Sequence, residues 1–269
     1  MQTLLHPFTE KELDILTAAT PHAIHVTGPK GIGLRQVAKE FADRINADYR
    51  YIEPLENTVS VDQVRDLYQL TRGRKTRPQA VVVSGELLST QAQHALLKLL
   101  EEPPTGTIFI ITSHDPSALL GTVLSRMQTL TLRPLSDKQS NQLVDAHSSD
   151  VSAQKRAQLM FLAGGLPAEL TRILDSAAYF DEKVTHMKQA QQFILSNRYG
   201  RLSLLRDYIG NRSGLQTYIQ TVIKLLHHDI YQKKVVSEKH VDLLERLERA
   251  ATMLALNGNT KLIAAQLVL

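Results

Sequence analysis

A glycine-rich segment between a predicted strand and a predicted helix has the spacing of a loop that binds nucleotide phosphates. Residues 27–35 read TGPKGIGLR, and in such a loop the backbone N–H groups at a helix N-terminus surround the phosphates. When the motif GxxxxG is anchored on Gly28 and Gly33, a Lys and then a Ser or Thr should follow, but Leu34 and Arg35 do. Leu34 can neither neutralise a phosphate nor hold magnesium, and Arg35 lies one position late, about 100° around the helix. The sequence therefore predicts a vestigial nucleotide loop.

Two other loop residues, Lys30 and Gly31, keep alternatives open. Lys30 is a second cation of the loop, so an active ATPase with a non-standard loop that uses Lys30 or Arg35 remains an alternative. Gly31 adds a small residue at the helix N-terminus, where backbone N–H groups can hold an anion without the rest of the motif. Weak binding of a nucleotide or a phosphate is therefore compatible with the sequence.

The strand that should supply magnesium ligands is also changed. ATP-hydrolysing proteins with a phosphate loop place a carboxylate at the end of a hydrophobic strand, where it holds magnesium. Here Val83 and Ser84 occupy those positions at the end of the run from Ala80, and neither carries a carboxylate. Glu86 follows two to three residues later as an alternative ligand or as a solvent-facing loop acid. The sequence therefore predicts a vestigial magnesium strand.

The composition excludes several classes of site and protein. The 269 residues include no Cys and ten His without an HExxH pattern, so disulfides, thiolate catalysis and the commonest metal sites are excluded and no metal is expected. No apolar run approaches the ~18 residues of a membrane span. The first residues show no basic segment followed by an apolar stretch, so we expect a cytoplasmic protein with no membrane partner. A net charge of +4 permits contact with a polyanion without requiring it.

The elements that must position these residues fall into three regions. Short β-branched runs alternate with helical patterns up to about residue 133, which is typical of a parallel sheet covered by helices. Strands are predicted at residues 22–26, 50–52, 80–83, 108–112 and 128–132. An apolar stripe at helical spacing runs from Ala92 to Leu100. Only helical patterns follow Pro134, with a capping box at Ser136 and Gln139 that opens the first helix.

We therefore predict an α/β domain at residues 1–134, a small three-helix domain at 135–179 and an all-helical domain at 180–269. Gly164 and Gly165 are expected to end the second helix of the middle domain, and Pro167 to begin the third. Longer amphipathic helices are predicted in the last domain, at residues 181–197, 201–209, 214–232 and 237–256.

Three segments in fixed order resemble the AAA+ core of bacterial DNA polymerase III clamp loaders. They are ALLKLLEEPP at residues 95–104, FIITSHDP at 109–116 and LSR at 124–126. The degenerate loop and strand, together with the retained Ser125-Arg126, are similar to the delta-prime type within that family. The resemblance implies that the three predicted domains are an AAA+ parallel-sheet P-loop-type domain, a helical lid domain and a helical collar domain.

By this resemblance Arg126 is a catalytic residue in trans, which stabilises the γ-phosphoryl charge in the ATP site of a neighbouring subunit. Ser125 would support the loop that carries Arg126, and Thr112 and Ser113 would be structural. The alternative for Arg126 is a structural arginine that pairs with a nearby acid. Pro167 stands where active relatives carry a phosphate-sensing arginine, and the family's four-cysteine zinc module is absent. The resemblance thus implies no cofactor in this chain, with ATP and magnesium in the partner subunit.

The same resemblance implies a subunit that does not hydrolyse ATP and that helps load the sliding clamp onto primed DNA during replication. Its partners would be a gamma/tau-type ATPase subunit and a delta-type subunit in a hetero-oligomeric ring, with primer-template DNA and the sliding clamp. Candidate contacts to DNA phosphates are Lys98 and the basic cluster of Arg72, Arg74, Lys75 and Arg77. A solvated loop is the alternative for the cluster.

A third alternative is a stand-alone DNA-binding protein on a retired AAA+ scaffold. The apolar helices after residue 180 argue against it, because they would be a liability if no partner covered them.

Overall fold

The computed structural model describes residues 4–71, 76–148, 151–233 and 238–268. The chain divides into two compact units, Met1–Asp175 and Ser176–Leu269. This division lies close to the predicted boundary between residues 179 and 180. The three predicted domains and their bounds stay predictions.

In its described part, the first unit contains one five-stranded sheet. Its strands are β1 (Ala23–Thr27), β2 (Asp48–Tyr51), β3 (Gln79–Ser84), β4 (Thr107–Ser113) and β5 (Gln128–Thr131). The order is β2-β3-β4-β1-β5, and every pairing is parallel. Both β1 and β4 are buried along their whole length, which is why their sequences do not alternate between apolar and polar residues. The predicted parallel α/β fold is confirmed, with strand ends shifted by one or two residues.

Helices cover both faces of this sheet. They are α1 (Pro7–Ala19), α2 (Leu34–Arg44), α3 (Val61–Thr71), α4 (Thr90–Glu101) and α5 (Gly121–Leu124). Ile24 of β1 packs in a core cluster with Phe41 of α2. Val81 of β3 packs in a second cluster with Leu96 of α4. The sheet therefore separates two apolar cores and holds the loops at the two ends of its strands in fixed positions.

Helix α4 carries the predicted apolar stripe with one difference. Gln93 is buried, whereas Ala95, which belongs to the predicted stripe, is only partly buried. The Gln93 Nε2 atom donates to the Ala118 carbonyl at 2.9 Å, and its Oε1 atom accepts from the Leu120 N–H at 2.8 Å. A polar side chain is stable in this core because it satisfies two backbone groups of the following loop.

Three further helices complete the first unit. They are α6 (Asp137–His147), α7 (Ala153–Ala163) and α8 (Pro167–Asp175). The predicted capping box is present, with Ser136 and Gln139 satisfying each other's backbone N–H groups. Gly164 ends α7 in the left-handed conformation at φ 58°, as its position in the sequence predicts.

Among its described residues, the second unit consists of helices joined by short connections and contains no strand. Its helices are α9 (Ala177–Leu195), α10 (Arg198–Arg206), α11 (Arg212–Lys233), α12 (Glu238–Ala255) and α13 (Thr260–Val268). Helix α9 begins four residues before the prediction because Ser176 caps it, with its side chain accepting from the Tyr179 N–H. Asn197 caps α10 in the same way and accepts from the Gly200 N–H. No helix among the described residues is both long and apolar enough to cross a membrane.

Candidate functional site

A cavity of about 290 Å³ opens at the edge of the sheet where strands β1, β3 and β4 end. The carboxyl ends of parallel strands are where such folds usually bind ligands, because the connecting loops diverge there. The cavity is lined by residues of the glycine loop, of the ends of β2, β3 and β4, and of α8, namely Gly31, Gly33, Leu34, Arg35, Gln36, Tyr51, Ser84, Glu86, Thr112, Ser113, His114 and Ala168.

Two glycines of the loop have a backbone conformation with positive φ angles. Gly31 and Gly33 have φ angles of 88° and 97°, a region that other residues adopt only with strain. Gly33 is the N-cap of α2 and provides no side-chain hydrogen bond to the helix. The first N–H groups of α2 therefore have no capping side chain. Gly28 contributes a backbone carbonyl that accepts from His114 Nδ1 at 2.8 Å.

The side chains at the two positions after Gly33 make contacts within the fold, although both residues also line the cavity. Leu34 is 6 % exposed and belongs to the core cluster on the α2 face of the sheet. Arg35 contacts the end of the edge strand β2: its guanidinium carbon lies 3.7 Å from the centre of the Tyr51 ring and its Nε atom donates to the Tyr49 hydroxyl at 3.3 Å. This hydrogen bond raises the pKa of Arg35. Lys30 is exposed.

Helix α8 packs directly on the glycine loop. The Glu169 N–H donates to the Gly31 carbonyl at 3.0 Å, and a Cβ atom placed on Gly31 would lie 3.0 Å from the Glu169 Cβ atom. A Cβ atom on Gly33 would lie 3.4 Å from the Ala168 Cβ atom. The sequence analysis missed this contact because the two segments are far apart in the chain.

The end of β3 has no carboxylate where a magnesium ligand would be needed. Val83 is fully buried in the α4-side core, and Ser84 is half-buried at the cavity. Glu86 is exposed, but its Oε1 atom accepts from the His114 N–H at 2.7 Å and from the Asp115 N–H at 3.2 Å. Glu86 therefore holds the backbone that follows β4, a role that neither interpretation of this acid included.

Polar groups at the end of β4 are engaged within the fold. Ser113 Oγ and His25 Nε2 are 3.0 Å apart, and both side chains are 1 % exposed. Burial lowers the pKa of His25. Thr112 is also buried, and its hydroxyl lies 3.5 Å from the Val83 carbonyl. His114, which the sequence analysis did not select, lines the cavity and contacts Gly28; its place directly after an inner strand is the signal that could have identified it.

Arg126 lies between α5 and β5, and its guanidinium is held by two partners. The Nε and Nη2 atoms lie 2.9 Å and 2.6 Å from Oε1 of Glu101, and the Nη1 atom donates to the Thr122 carbonyl at 2.8 Å. Ser125 is exposed, and its hydroxyl donates to the same carbonyl at 3.1 Å. The side chain of Arg126 is 36 % exposed. The pairing with a nearby acid is therefore present, and it leaves part of the guanidinium accessible.

Arg126 and the glycine loop lie at opposite ends of the parallel strands. Strands β1 and β5 run parallel with Ile24 beside Gln128, and the loop follows the end of β1 whereas Arg126 precedes the start of β5. The paired residues Ile24–Thr27 alone span about 10 Å at a rise of ~3.3 Å per residue. A phosphate bound in this loop is therefore out of reach of Arg126.

The remaining candidates are surface cations. Lys98 is exposed on α4, and Arg77 is exposed before β3. Arg72, Arg74 and Lys75 lie outside the described residues. Across residues 4–71, 76–148, 151–233 and 238–268, no three or more His, Asp or Glu side chains form a group that could hold a metal ion.

Comparisons with known proteins agree with the clamp-loader resemblance. The model of a family described as DNA polymerase III, delta subunit, matches residues 43–136. The chain is 29% identical over 181 residues to DNA polymerase III subunit delta' of Pseudomonas aeruginosa, which covers 56% of this chain and 55% of that protein. It is 26% identical over 202 residues to DNA polymerase III subunit tau of Bacillus subtilis, which covers 63% of this chain and 35% of that protein. The chain thus spans about half or less of the length of these relatives.

Solved structures agree with the fold. A DNA polymerase III gamma subunit-related protein of Thermotoga maritima has a TM-score of 0.53 at 17% identity and covers 97% of both chains. The RuvB Holliday junction branch migration motor of the same organism has a TM-score of 0.54 at 12% identity and covers 94% of this chain and 82% of that one. The predicted α/β fold with a helical C-terminal part is confirmed, as is the resemblance to DNA polymerase III delta-prime and related clamp-loader subunits.

Proposed function

We propose that this chain is a clamp-loader subunit of DNA polymerase III that does not hydrolyse ATP and that supplies Arg126 to the ATP site of a neighbouring ATPase subunit. In this role it helps load the sliding clamp onto primed DNA during replication. The observation that carries the proposal is the position of Arg126. This partly exposed arginine lies at the amino ends of the strands, whereas the chain's own glycine loop lies at their carboxyl ends. An arginine in that place is suited to a phosphate held by another subunit.

The loss of hydrolysis is supported by the side chains at the loop. Hydrolysis needs a cation on the β and γ phosphates, a hydroxyl and a carboxylate on magnesium. Leu34 is buried in the core, Arg35 stacks on Tyr51 and Val83 is fully buried. Glu86 has one carboxylate oxygen on two backbone N–H groups. We therefore assign ATP and magnesium to the partner subunit and no cofactor to this chain.

The proposed partners follow from the relatives. A delta-prime subunit and a tau subunit of DNA polymerase III are both similar to this chain. We propose a hetero-oligomeric ring with a gamma/tau-type ATPase subunit and a delta-type subunit, which acts on primer-template DNA and the sliding clamp. Lys98 is exposed on α4 and is the described residue that we assign to a DNA phosphate. Such a contact would be independent of sequence and sensitive to salt.

The test is ATP turnover in the reconstituted assembly. The P-loop lysine is replaced in every ATPase subunit except the one next to Arg126, so that turnover reports on that site alone. We expect R126A to lower turnover at that site by about 10³- to 10⁵-fold, which corresponds to about 4–7 kcal/mol of transition-state stabilisation. R126K keeps the charge but lacks the planar fork, so it should restore only part of the rate. The unfolding midpoint of each variant serves as the control for folding. Unchanged turnover in R126A would refute the assigned role.

A further inference from the structure

Arg126 is held by the last residue of a helix that is itself fixed in the core. Glu101 ends α4, whose residues Leu96, Leu99 and Leu100 are buried. The Glu101 carboxylate binds the Nε and Nη2 atoms of Arg126 through Oε1. Glu101 itself is 50% exposed. The Arg126 guanidinium is therefore held by a side chain whose helix is packed in the core, although Arg126 and Glu101 are themselves partly exposed.

The contacts leave a defined part of the guanidinium unused. An arginine has five N–H donors, one on Nε and two on each terminal nitrogen. Glu101 Oε1 accepts from Nε and lies 2.6 Å from Nη2, and the Thr122 carbonyl accepts from Nη1. At least one N–H on each terminal nitrogen therefore has no partner among the described residues. Two donors in one plane are the arrangement that binds two oxygens of a phosphate together.

We infer that Glu101 is a positioning residue for Arg126: it holds the guanidinium so that the two remaining N–H groups face the phosphate of the neighbouring subunit. This inference rests on the proposed function of Arg126. A long arginine side chain loses rotamer freedom when it is held in one geometry. Glu101 and the Thr122 carbonyl impose that loss before the neighbour's nucleotide arrives, so less of it opposes the reaction.

The alternative role for the same contact is restraint. An acid that binds the guanidinium also competes with the phosphate for it, and in that case its removal would speed the reaction. The number of donors favours positioning, because Arg126 can keep Glu101 and still offer two N–H groups to phosphate oxygens. The two roles predict opposite signs for the same substitution.

The experiment compares E101Q and E101A with the matched control E102A in the reconstituted assembly. Glu102 is the adjacent exposed acid, and no contact between it and Arg126 occurs among the described residues. E101Q keeps an acceptor oxygen and removes the charge, whereas E101A removes both. We expect E101A to lower kcat of the neighbouring site by about 5- to 100-fold, between the effect of a lost exposed ion pair and that of a misplaced catalytic group. KM should change little, because the lost interaction acts in the transition state. E101Q should lie between E101A and the wild type, and E102A should match the wild type.

A double-mutant cycle with R126A separates positioning from general damage to the fold. If Glu101 acts through Arg126, E101A should have no further effect on turnover in an R126A background. A loss of the same size in both backgrounds, an increase of kcat, or a change below about twofold would overturn the inference. If R126A lowers turnover and E101A does not, the role of Glu101 is wrong and the proposed function stands. If R126A has no effect, both the proposed function of Arg126 and the positioning role of Glu101 are wrong.

Discussion

The contact between α8 and the glycine loop makes Gly31 a position where one methyl group should be costly. Gly31 has φ 88°, and a Cβ atom there would lie 3.0 Å from the Glu169 Cβ atom and 3.5 Å from Leu166 Cδ1. The positive φ costs an L-residue about 1–2 kcal/mol. The close approach to Glu169 adds about 1 kcal/mol or more, because a side-chain atom on an anchored helix must move. We therefore expect G31A to lower the free energy of unfolding of the first unit by about 2–4 kcal/mol.

Two other glycines of the same unit serve as controls that separate the backbone cost from the packing cost. Gly106 has φ 71° and nothing within 4 Å of an added Cβ atom, so G106A should show only the backbone cost of about 1–2 kcal/mol. Gly121 begins α5 and also has nothing within 4 Å. Because its φ angle is not among the positive ones, G121A should be close to neutral.

The assay is urea unfolding of the full chain, followed by circular dichroism, with all three variants compared at one pH. The expected order of stability is G121A, then G106A, then G31A. If G31A is no less stable than G106A, the packing of Glu169 on the loop is not the constraint described here, and the reasoning from the contact distance is refuted.

Three further predictions concern a titration, an ion-pair network and catalysis. Burial lowers the pKa of His25, so the folded state binds fewer protons than the unfolded chain. The free energy of unfolding should therefore fall as the pH drops below ~6.5. Urea unfolding at two pH values should show a smaller fall for H25Q than for the wild type. Arg44 is 16% exposed and binds Glu10 at 2.6 Å and Glu40 at 3.1 Å; R44M should lower the free energy of unfolding by about 1–3 kcal/mol, and an unchanged value would show that this network is not stabilising. The purified chain alone should show no magnesium-dependent release of phosphate from ATP; turnover that disappears in R35A would support the alternative of an active ATPase.

Much of the fold could be predicted from the sequence because its signals are local. The β-branched runs of the inner strands, the capping box at Ser136 and the glycine at the end of α7 each depend on residues a few positions apart. The degenerate glycine loop is equally local, since Leu34 and Arg35 follow a motif of fixed spacing. The burial of Gln93 rather than Ala95 on the inner face of α4 could not be predicted in this way. Gln93 is buried because its partners, the backbone of Ala118 and Leu120, lie in another loop.

The sequence by itself determined which chemical groups this protein has and which it lacks: a glycine loop without its lysine and hydroxyl, a strand end without a carboxylate, and a Ser-Arg pair before the last strand. Only the tertiary structure decided what those groups contact. The pairs His114 with Gly28, Glu169 with Gly31 and Arg126 with Glu101 join residues that are far apart in the chain. Such contacts depend on how helices and strands pack around the two cores, and spacing along the chain does not specify that packing.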